Sequence, residues 1–299
     1  MRTRPTLTWE PEGDLPPATS DLSAVVAAVR AGGVVVLSGA GLSTESGIPD
    51  YRGEHGSLRR NHVPMTFQEF TGDAHARRRY WARSQLGWRA MTRARPNSGH
   101  RAVAALAGSG RVTGVITQNV DGLQQAAGVP DVVELHGSLS RVVCLDCGRF
   151  STRAELDDRL REANPGFEAV AERHRAARVN PDGDVELADE AVRAFRVVAC
   201  AACGTGVLKP DVVFFGENVP PARVAECREL VGSAATLLVL GSSLTVMSGL
   251  RFVRQAAQAG IPVLIVNQGP TRGDRWAAHR VELPLGQALT GLVTRTDSP

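Results

Sequence analysis

The sequence lacks several features that would mark particular classes of protein. No run of about 18 apolar residues occurs in the 299, which excludes a membrane-spanning helix of ordinary length. The segment from Met1 to Pro17 has no apolar core of the kind found in secretory signals, so we expect a cytoplasmic protein with no membrane partner. The net charge is only +3 and the basic residues are scattered, so direct nucleic-acid binding is not expected either.

Cysteine is also scarce, and its spacing indicates a metal site rather than a disulfide framework. Four of the five cysteines form two C-x-x-C pairs, Cys144 with Cys147 and Cys200 with Cys203, and glycine follows each pair. Two such pairs are typical of a structural Zn²⁺ held by four thiolates, because no coordination position is left open for water. Cys227 lies in a helical pattern, and we expect it to be a packed thiol.

The distribution of apolar residues predicts an α/β fold. Short continuous apolar runs, typical of strands buried on both faces of a parallel sheet, alternate with helical patterns. These strands are predicted at 34–37, 112–117, 132–135, 212–215, 237–240 and 263–266. We therefore expect a doubly wound parallel sheet, Rossmann-like, with a smaller inserted domain that is helical and binds zinc. The sheet domain is assigned to 21–52, 96–138 and 207–299, the helical insertion to 53–95 and the zinc-binding module to 139–206.

A glycine-rich segment, 39–53, follows the first predicted strand directly. Glycines there let the backbone approach a ligand, and free N–H groups beyond them favour a pyrophosphate, so a dinucleotide is the natural ligand. The spacing nevertheless differs from G-x-G-x-x-G, and no acidic residue follows a second strand as in NAD dehydrogenases. Taken alone, the glycines indicate a tight turn equally well.

Two polar groups follow the next predicted strands. Gln118, Asn119 and Asp121 come at the carboxyl end of a strand, where doubly wound folds place ligand-binding groups, although an Asx-turn would explain them equally. His136 precedes a glycine and could act as a general base near neutral pH. A lone histidine is more often structural, so this residue needs further support.

Three later segments complete the pattern. Residues 209–217 form an apolar strand that ends in a Gly-Glu turn, for which a core role is the simplest interpretation. Residues 241–244 and 267–268 follow buried strands with small hydroxyl and amide side chains, which suit a ribose or adenine and equally suit helix caps.

The six groups in this order resemble the sirtuin family, over the chain from about Ala31 to the C-terminal helix. The motif Phe214-Phe215-Gly216 resembles the class II, lipoamidase-like members. The resemblance implies that NAD is held by Gly39, Ala40, Gly41, Ser43, Asp50, Tyr51, Arg52, Gln118, Asn119, Asp121, Gly241, Ser242, Ser243, Asn267, Gln268 and Leu285. It further implies that Asn119 and Asp121 take part in catalysis with His136 as the base. The acyl-lysine cleft would be lined by Val213, Phe214, Phe215 and Gly216, which pair with the substrate backbone.

The activity that the resemblance implies is protein lysine deacylation, with NAD consumed as a co-substrate and nicotinamide released. The acyl-lysine proteins or peptides would be the partners, and the acyl group would pass to ADP-ribose. Three alternatives remain open at this point: a protein ADP-ribosyltransferase using the same NAD site, a redox dehydrogenase and a zinc-dependent binding module without catalysis.

The acyl group is the least determined part of this interpretation. Sirtuins that prefer negatively charged acyl groups use a tyrosine and an arginine, whereas the segment after Gly53 supplies Arg59 and Arg60 without a tyrosine. Tyr51 also stands where many sirtuins have phenylalanine. We therefore expect neutral acyl chains to be preferred over acidic ones.

Overall fold

The computed structural model describes residues 9, 17–53, 56, 64–169, 180–183, 185, 187 and 189–297; Arg59 and Arg60 lie outside them. Within this part of the chain, the main sheet has six parallel strands: β1 (Val34–Ser38), β2 (Val112–Thr117), β3 (Val132–Glu134), β7 (Thr236–Leu240), β8 (Val263–Val266) and β9 (His279–Val281). A second, antiparallel sheet contains β4 (Gly137–Cys144), β5 (Phe150–Thr152) and β6 (Leu208–Val212). The strand orders are β3-β2-β1-β7-β8-β9 and β5-β4-β6.

Helices cover both faces of the main sheet, as a doubly wound fold requires. The α-helices of the described residues are α1 (Ser23–Ala31), α2 (Phe67–Gly72), α3 (Ala74–Arg93), α4 (Ser98–Gly108), α5 (Leu123–Ala126), α6 (Arg153–Ala163), α7 (Asp189–Ala194), α8 (Pro221–Gly232), α9 (Met247–Gln258) and α10 (Leu285–Asp297). Short 3₁₀ helices span Ala40–Ser46 and Asp274–Trp276. None of the described helices combines the length and apolar character needed to cross a membrane.

The central strands are apolar on both faces because each face packs on a different layer of helices. Val34 and Val36 of β1 join one hydrophobic cluster with α1, α4 and α10. Val35 and Leu37 point the other way and join a cluster with α8 and α9. Cys227 is fully buried in this second cluster, as expected of a packed thiol. The continuous apolar runs therefore predicted these strands correctly.

The strand predicted at 212–215 is wrong in both its bounds and its sheet. The structure places β6 at Leu208–Val212 and pairs it antiparallel with β4, so that Val212 lies opposite Gly137. The apolar run at 212–215 predicted a strand of the main sheet wrongly because its buried side chains lie outside that sheet. The ring of Phe214 lies 5.2 Å from the rings of Phe70 and Tyr80, in the aromatic cluster of α2 and α3.

The helical segment and the zinc-binding segment share one core. A third hydrophobic cluster contains residues from α2, α3 and α6 and from the strands β4 and β6 of the second sheet. The buried guanidinium of Arg153 on α6 lies 5.6 Å from the ring of Trp81 and 5.2 Å from that of Trp88, both on α3, and pairs with Asp157. These contacts fix α3 against α6, and the Trp81 indole N–H donates to the Leu208 carbonyl of β6 at 3.2 Å, so that α3 is held against the second sheet beside the candidate site.

Candidate active site and metal centre

The candidate active site lies at the carboxyl edge of the main sheet, where the strand order reverses. β1 lies between β2 and β7, and such a switch point is where doubly wound sheets bind ligands. A cavity of about 980 Å³ opens there. Its walls combine the loops that follow β1, β2 and β7 with residues 212–219, which begin at the end of β6.

Glycine backbones hold the loops after β1 and β7 together. Gly39 N–H donates to the Leu240 carbonyl and Gly41 N–H to the Gly241 carbonyl, both at 2.9 Å. A Cβ at Gly39 would lie 2.7 Å from the Cβ of Ser242, and one at Gly41 would lie 2.9 Å from the Gly241 oxygen. Gly241 also has a φ of +61°. Side chains are therefore excluded here because the two loops pack directly on each other.

Asn119, Asp121 and Ser43 form one hydrogen-bond network across the cavity wall. The Asn119 amide donates to the Gly39 carbonyl at 3.1 Å and to Ser43 Oγ at 3.0 Å. Ser43 Oγ in turn donates to Asp121 Oδ2 at 2.7 Å, and Asp121 Oδ1 accepts the Leu123 N–H at 2.9 Å. Burial raises the pKa of Asp121. The network joins the β1 and β2 loops that were predicted separately.

His100 belongs to this network, although the sequence analysis did not single it out. Its Nδ1 accepts the Asn97 N–H at 3.3 Å in a capping box, so Nε2 carries the proton and donates to Ser43 Oγ at 3.4 Å. Burial lowers the pKa of His100 to about 4, which keeps the ring neutral. In the sequence, the only sign of a role for His100 is the spacing Asn97-x-x-His100 at the start of α4, and this spacing predicts a helix cap rather than a residue of the site.

His136 lies at the point where the chain passes from the main sheet to the second sheet. Its Nδ1 is 3.0 Å from the Gln118 carbonyl, which can only accept, so Nδ1 carries the proton and Nε2 is unprotonated. Ser248 Oγ lies 2.8 Å from Nε2. Burial lowers the pKa of His136 to about 4, with Arg223 and Arg251 acting in the same direction. The ring is therefore neutral near pH 7 and can accept a proton.

The structure brings the predicted NAD-binding residues together, with one exception. All of them line the cavity except Leu285, which is buried at the start of α10 behind Gly241. Gln118 donates to Ser242 Oγ at 2.9 Å, and Arg52 donates to Ser243 Oγ at 3.4 Å. These two contacts link the predicted halves of a dinucleotide site.

The predicted acyl-lysine residues line the same cavity next to His136. Val213 N–H donates to the His136 carbonyl at 2.8 Å, which places the segment beside the base. The ring of Phe215 meets the ring of Tyr51 edge to face at 6.1 Å. Val213, Phe214, Phe215 and Gly216 all contribute to the wall. One cavity therefore contains the predicted cofactor residues, base and substrate segment.

The four predicted zinc ligands form a compact cluster at one end of the second sheet. Their sulfur atoms all lie within 4.8 Å of one another, with Cys144 and Cys203 at 3.8 Å and Cys147 and Cys200 at 3.9 Å. Tetrahedral zinc with Zn–S bonds of about 2.3 Å needs sulfurs roughly 3.8 Å apart. A Cβ at Gly206 would collide with two of these sulfurs. The geometry fits one structural zinc ion.

Comparison with known proteins agrees with this arrangement. Residues 39–248 match the model of the Sir2 family. The chain belongs to the Sir2 family. A relative from Streptomyces coelicolor, named NAD-dependent protein deacetylase 1, is 70% identical over 295 residues, which cover 99% of this chain and 96% of the relative. A relative of the same name from Mycobacterium avium is 52% identical over 262 residues, covering 88% of this chain and 90% of its own length.

Solved Sir2 structures share the fold across both sheets. One from work on the mechanism and regulation of Sir2 enzymes has a TM-score of 0.70 at 30% identity, covering 91% of this chain and 96% of that chain. Another, of Sir2 with a p53 peptide and NAD+, has a TM-score of 0.71 at 26% identity, covering 92% of this chain and 98% of that chain.

A buried ion pair supports the predicted substrate segment of this Sir2-family chain. Lys209 Nζ donates to the Val212 carbonyl at 2.6 Å and lies 3.0 Å from Glu217 Oε2. The same oxygen of Glu217 accepts the Phe214 N–H at 2.8 Å. The Lys209 side chain is only 4% exposed, and Nζ lies 4.8 Å from the centre of the Phe214 ring. One ammonium group thus joins both ends of the segment 212–217.

We expect Lys209→Met to lower the free energy of unfolding by about 3 kcal/mol, because it leaves the Glu217 carboxylate partly buried without its partner. The double variant Lys209→Met/Glu217→Gln should recover more than half of this loss. Urea unfolding of the wild type, both single variants and the double variant measures the coupling. Additive effects of the two substitutions would show that the pair does not act as a unit.

We expect one zinc ion per chain, and loss of both the zinc and the stability of the second sheet in Cys144→Ala. The midpoint of thermal unfolding should fall by about 10 °C or more, since zinc binding contributes several kcal/mol to folding. Cys227→Ala is the matched control, because its thiol is buried in the hydrophobic cluster of the main sheet and not among the metal ligands. Elemental analysis of both variants decides the matter: full zinc content in Cys144→Ala would contradict the site.

Proposed function

We propose that this chain is an NAD-dependent protein lysine deacylase that transfers the acyl group to ADP-ribose and releases nicotinamide. The observation that carries the proposal is His136, a neutral imidazole whose unprotonated Nε2 lies in the cavity shared by the predicted NAD-binding and acyl-lysine residues. The names of the two relatives described above support the same activity. The apolar segment beside His136 supplies a wall for an acyl chain.

In the proposed reaction, the acyl-lysine carbonyl oxygen attacks the ribose carbon that bears nicotinamide, and nicotinamide leaves. Nε2 of His136 then accepts the proton of a ribose hydroxyl, whose oxygen attacks the former acyl carbonyl carbon. Water completes the reaction and releases lysine and O-acyl-ADP-ribose. Because burial lowers the pKa of His136 to about 4, its Nε2 carries no proton throughout the neutral range and is available to the ribose hydroxyl.

Asn119 and Asp121 are proposed to act earlier, by holding the nicotinamide ribose and the amide. Both already hydrogen-bond to Ser43, so their positions are fixed before a ligand enters. Such preorganisation lowers the cost of orienting the ribose carbon for attack. The remaining NAD-binding assignments, including Leu285 behind Gly241, are proposals on the same basis.

Protein ADP-ribosyl transfer is the alternative that uses the same NAD site. Both reactions break the bond to nicotinamide, and they differ in whether lysine is deacylated. Incubation with NAD and an acyl-lysine peptide separates them: nicotinamide release with stoichiometric deacylation supports the deacylase, whereas ADP-ribose attached to protein without deacylation supports the transferase.

Three more specific assignments are proposed together with the deacylase function. The motif Phe214-Phe215-Gly216 supports membership of class II, among the lipoamidase-like members. The use of four cysteines as a metal cluster, with no disulfide among the described cysteines, supports a reducing and hence cytoplasmic location. The low net charge supports the expectation of no direct nucleic-acid binding.

We expect His136→Ala to lower kcat/KM for deacylation at least about 100-fold while the Kd for NAD changes little, because a general base acts on bond making. Asn119→Ala should instead suppress nicotinamide release itself. Nicotinamide exchange and peptide deacylation, measured side by side, distinguish the two steps. His75→Ala, an exposed histidine on α3, is the control. Near wild-type turnover in His136→Ala would remove its proposed role.

We expect neutral acyl groups to be removed faster than acidic ones, because Val213, Phe214 and Phe215 offer apolar surface and each buried methylene contributes roughly 0.8 kcal/mol. The comparison is of kcat/KM for one peptide whose lysine carries acetyl, a medium-length neutral acyl, lipoyl or succinyl. Succinyl should be lowest. If it were highest, the segment after Gly53 would be the place to look for an arginine that binds its carboxylate.

A further inference from the structure

Most charged side chains that line the cavity are held by partners within the protein. Glu217 is paired with Lys209, and Arg272 donates to the Thr245 carbonyl at 2.9 Å. Arg251, like Arg272, contacts a backbone carbonyl and not a carboxylate among the described residues, and of the two it is the one on the helix that contacts His136. Within the described part of the chain, its guanidinium makes one hydrogen bond, from Nε to the Met247 carbonyl of its own helix at 3.3 Å, and no ion pair. The cavity wall therefore contains a cation whose charge is not neutralised by a contacting carboxylate.

Arg251 lies close to the base. Ser248 and Arg251 are three residues apart on α9 and so share one face, and Ser248 Oγ lies 2.8 Å from His136 Nε2. The bond to the carbonyl four residues earlier turns the Arg251 side chain toward the start of α9, where Met247 and Ser248 also line the cavity. The backbone of Arg251 thus lies about one helical turn, roughly 5 Å, along α9 from Ser248, which contacts the base, and the guanidinium is directed back toward that end of the helix.

The exposure of Arg251 and of its neighbour indicates that Arg251 lies at the rim of the cavity. Arg251 is only partly buried, and its neighbour Met247 is 42% exposed. The apolar wall for the acyl chain belongs to a different segment, 213–216. A carboxylate that meets Arg251 would therefore come from the peptide outside the acyl pocket. An extended peptide advances about 3.3 Å per residue, so such a group would lie within about three residues of the acyl-lysine.

We propose that Arg251 recognises an aspartate or glutamate side chain that flanks the acyl-lysine, so that this chain selects acylated lysines in acidic sequence surroundings. The inference rests on the proposed deacylase function and adds a specificity-determining residue to it. Arginine forms charge-assisted, bidentate hydrogen bonds with carboxylates. Because Arg251 lies near His136, the peptide carboxylate that it binds must belong to a residue close in sequence to the acyl-lysine.

The test uses an acetyl-lysine peptide with neutral flanks, into which aspartate or its isostere asparagine is placed at each position from −3 to +3. We expect aspartate to raise kcat/KM about three- to tenfold over asparagine at one or two positions, through KM, and less so at high salt. Arg251→Gln should abolish this ratio; because the ratio compares two peptides in the same variant, it does not depend on how removal of a charge near His136 changes overall turnover. Arg251→Glu should reverse it, favouring lysine at the same position.

Arg254→Gln is the matched control, since Arg254 lies on the same helix and is exposed outside the cavity; it should keep the aspartate preference. The inference is overturned if aspartate is not preferred at any position, or if Arg251→Gln and Arg254→Gln behave alike. A succinyl-lysine peptide with neutral flanks tests the other source of a carboxylate: a succinyl preference lost in Arg251→Gln would assign Arg251 to the acyl group and also overturn it. Absence of turnover on every peptide would instead refute the deacylase proposal itself.

Discussion

The contact between the backbones of Gly41 and Gly241 constrains the whole cavity. Because neither residue carries a side chain, the loops after β1 and β7 pack directly on each other at the switch point of the sheet. Ser43 and Ser242 then follow on either side of this contact, where they hydrogen-bond to Asn119 and Gln118 of the β2 loop. Three strand ends are thereby tied into one polar surface before any ligand enters.

The electrostatic character of that surface follows from burial. Removal from water disfavours the charged form of a histidine, so His100 and His136 are both neutral, and the carbonyl of Gln118 determines which nitrogen of His136 carries its proton. A neutral imidazole with a defined tautomer is what proton abstraction at neutral pH requires. Burial likewise raises the pKa of Asp121, whose carboxylate is held by Ser43 and the Leu123 N–H.

The second sheet contributes the other half of the site. His136 directly precedes β4, whose far end carries Cys144 of the metal cluster, and β6 ends where the substrate segment begins. The metal cluster, the Lys209–Glu217 pair and the packing of Arg153 between two tryptophans all lie in or against the second sheet, whose strand β6 leads into residues 212–217 beside His136. The metal cluster is thus connected to the proposed active site through β4 and β6.

The amino-acid sequence alone determined the doubly wound sheet, the cysteine cluster and most of the cavity-lining residues. It did so because central parallel strands are apolar on both faces, because thiolate spacing reflects tetrahedral coordination, and because loop residues after such strands must meet at one edge. The tertiary structure alone decided that β6 belongs to an antiparallel sheet, that Leu285 lies behind Gly241, that His100 contacts Ser43, and that Ser248 and Arg251 face the cavity. Most of those residues lie on helices or beside them. The direction in which a helical side chain points depends on how its helix packs. That packing is established by contacts between residues that are distant in the sequence.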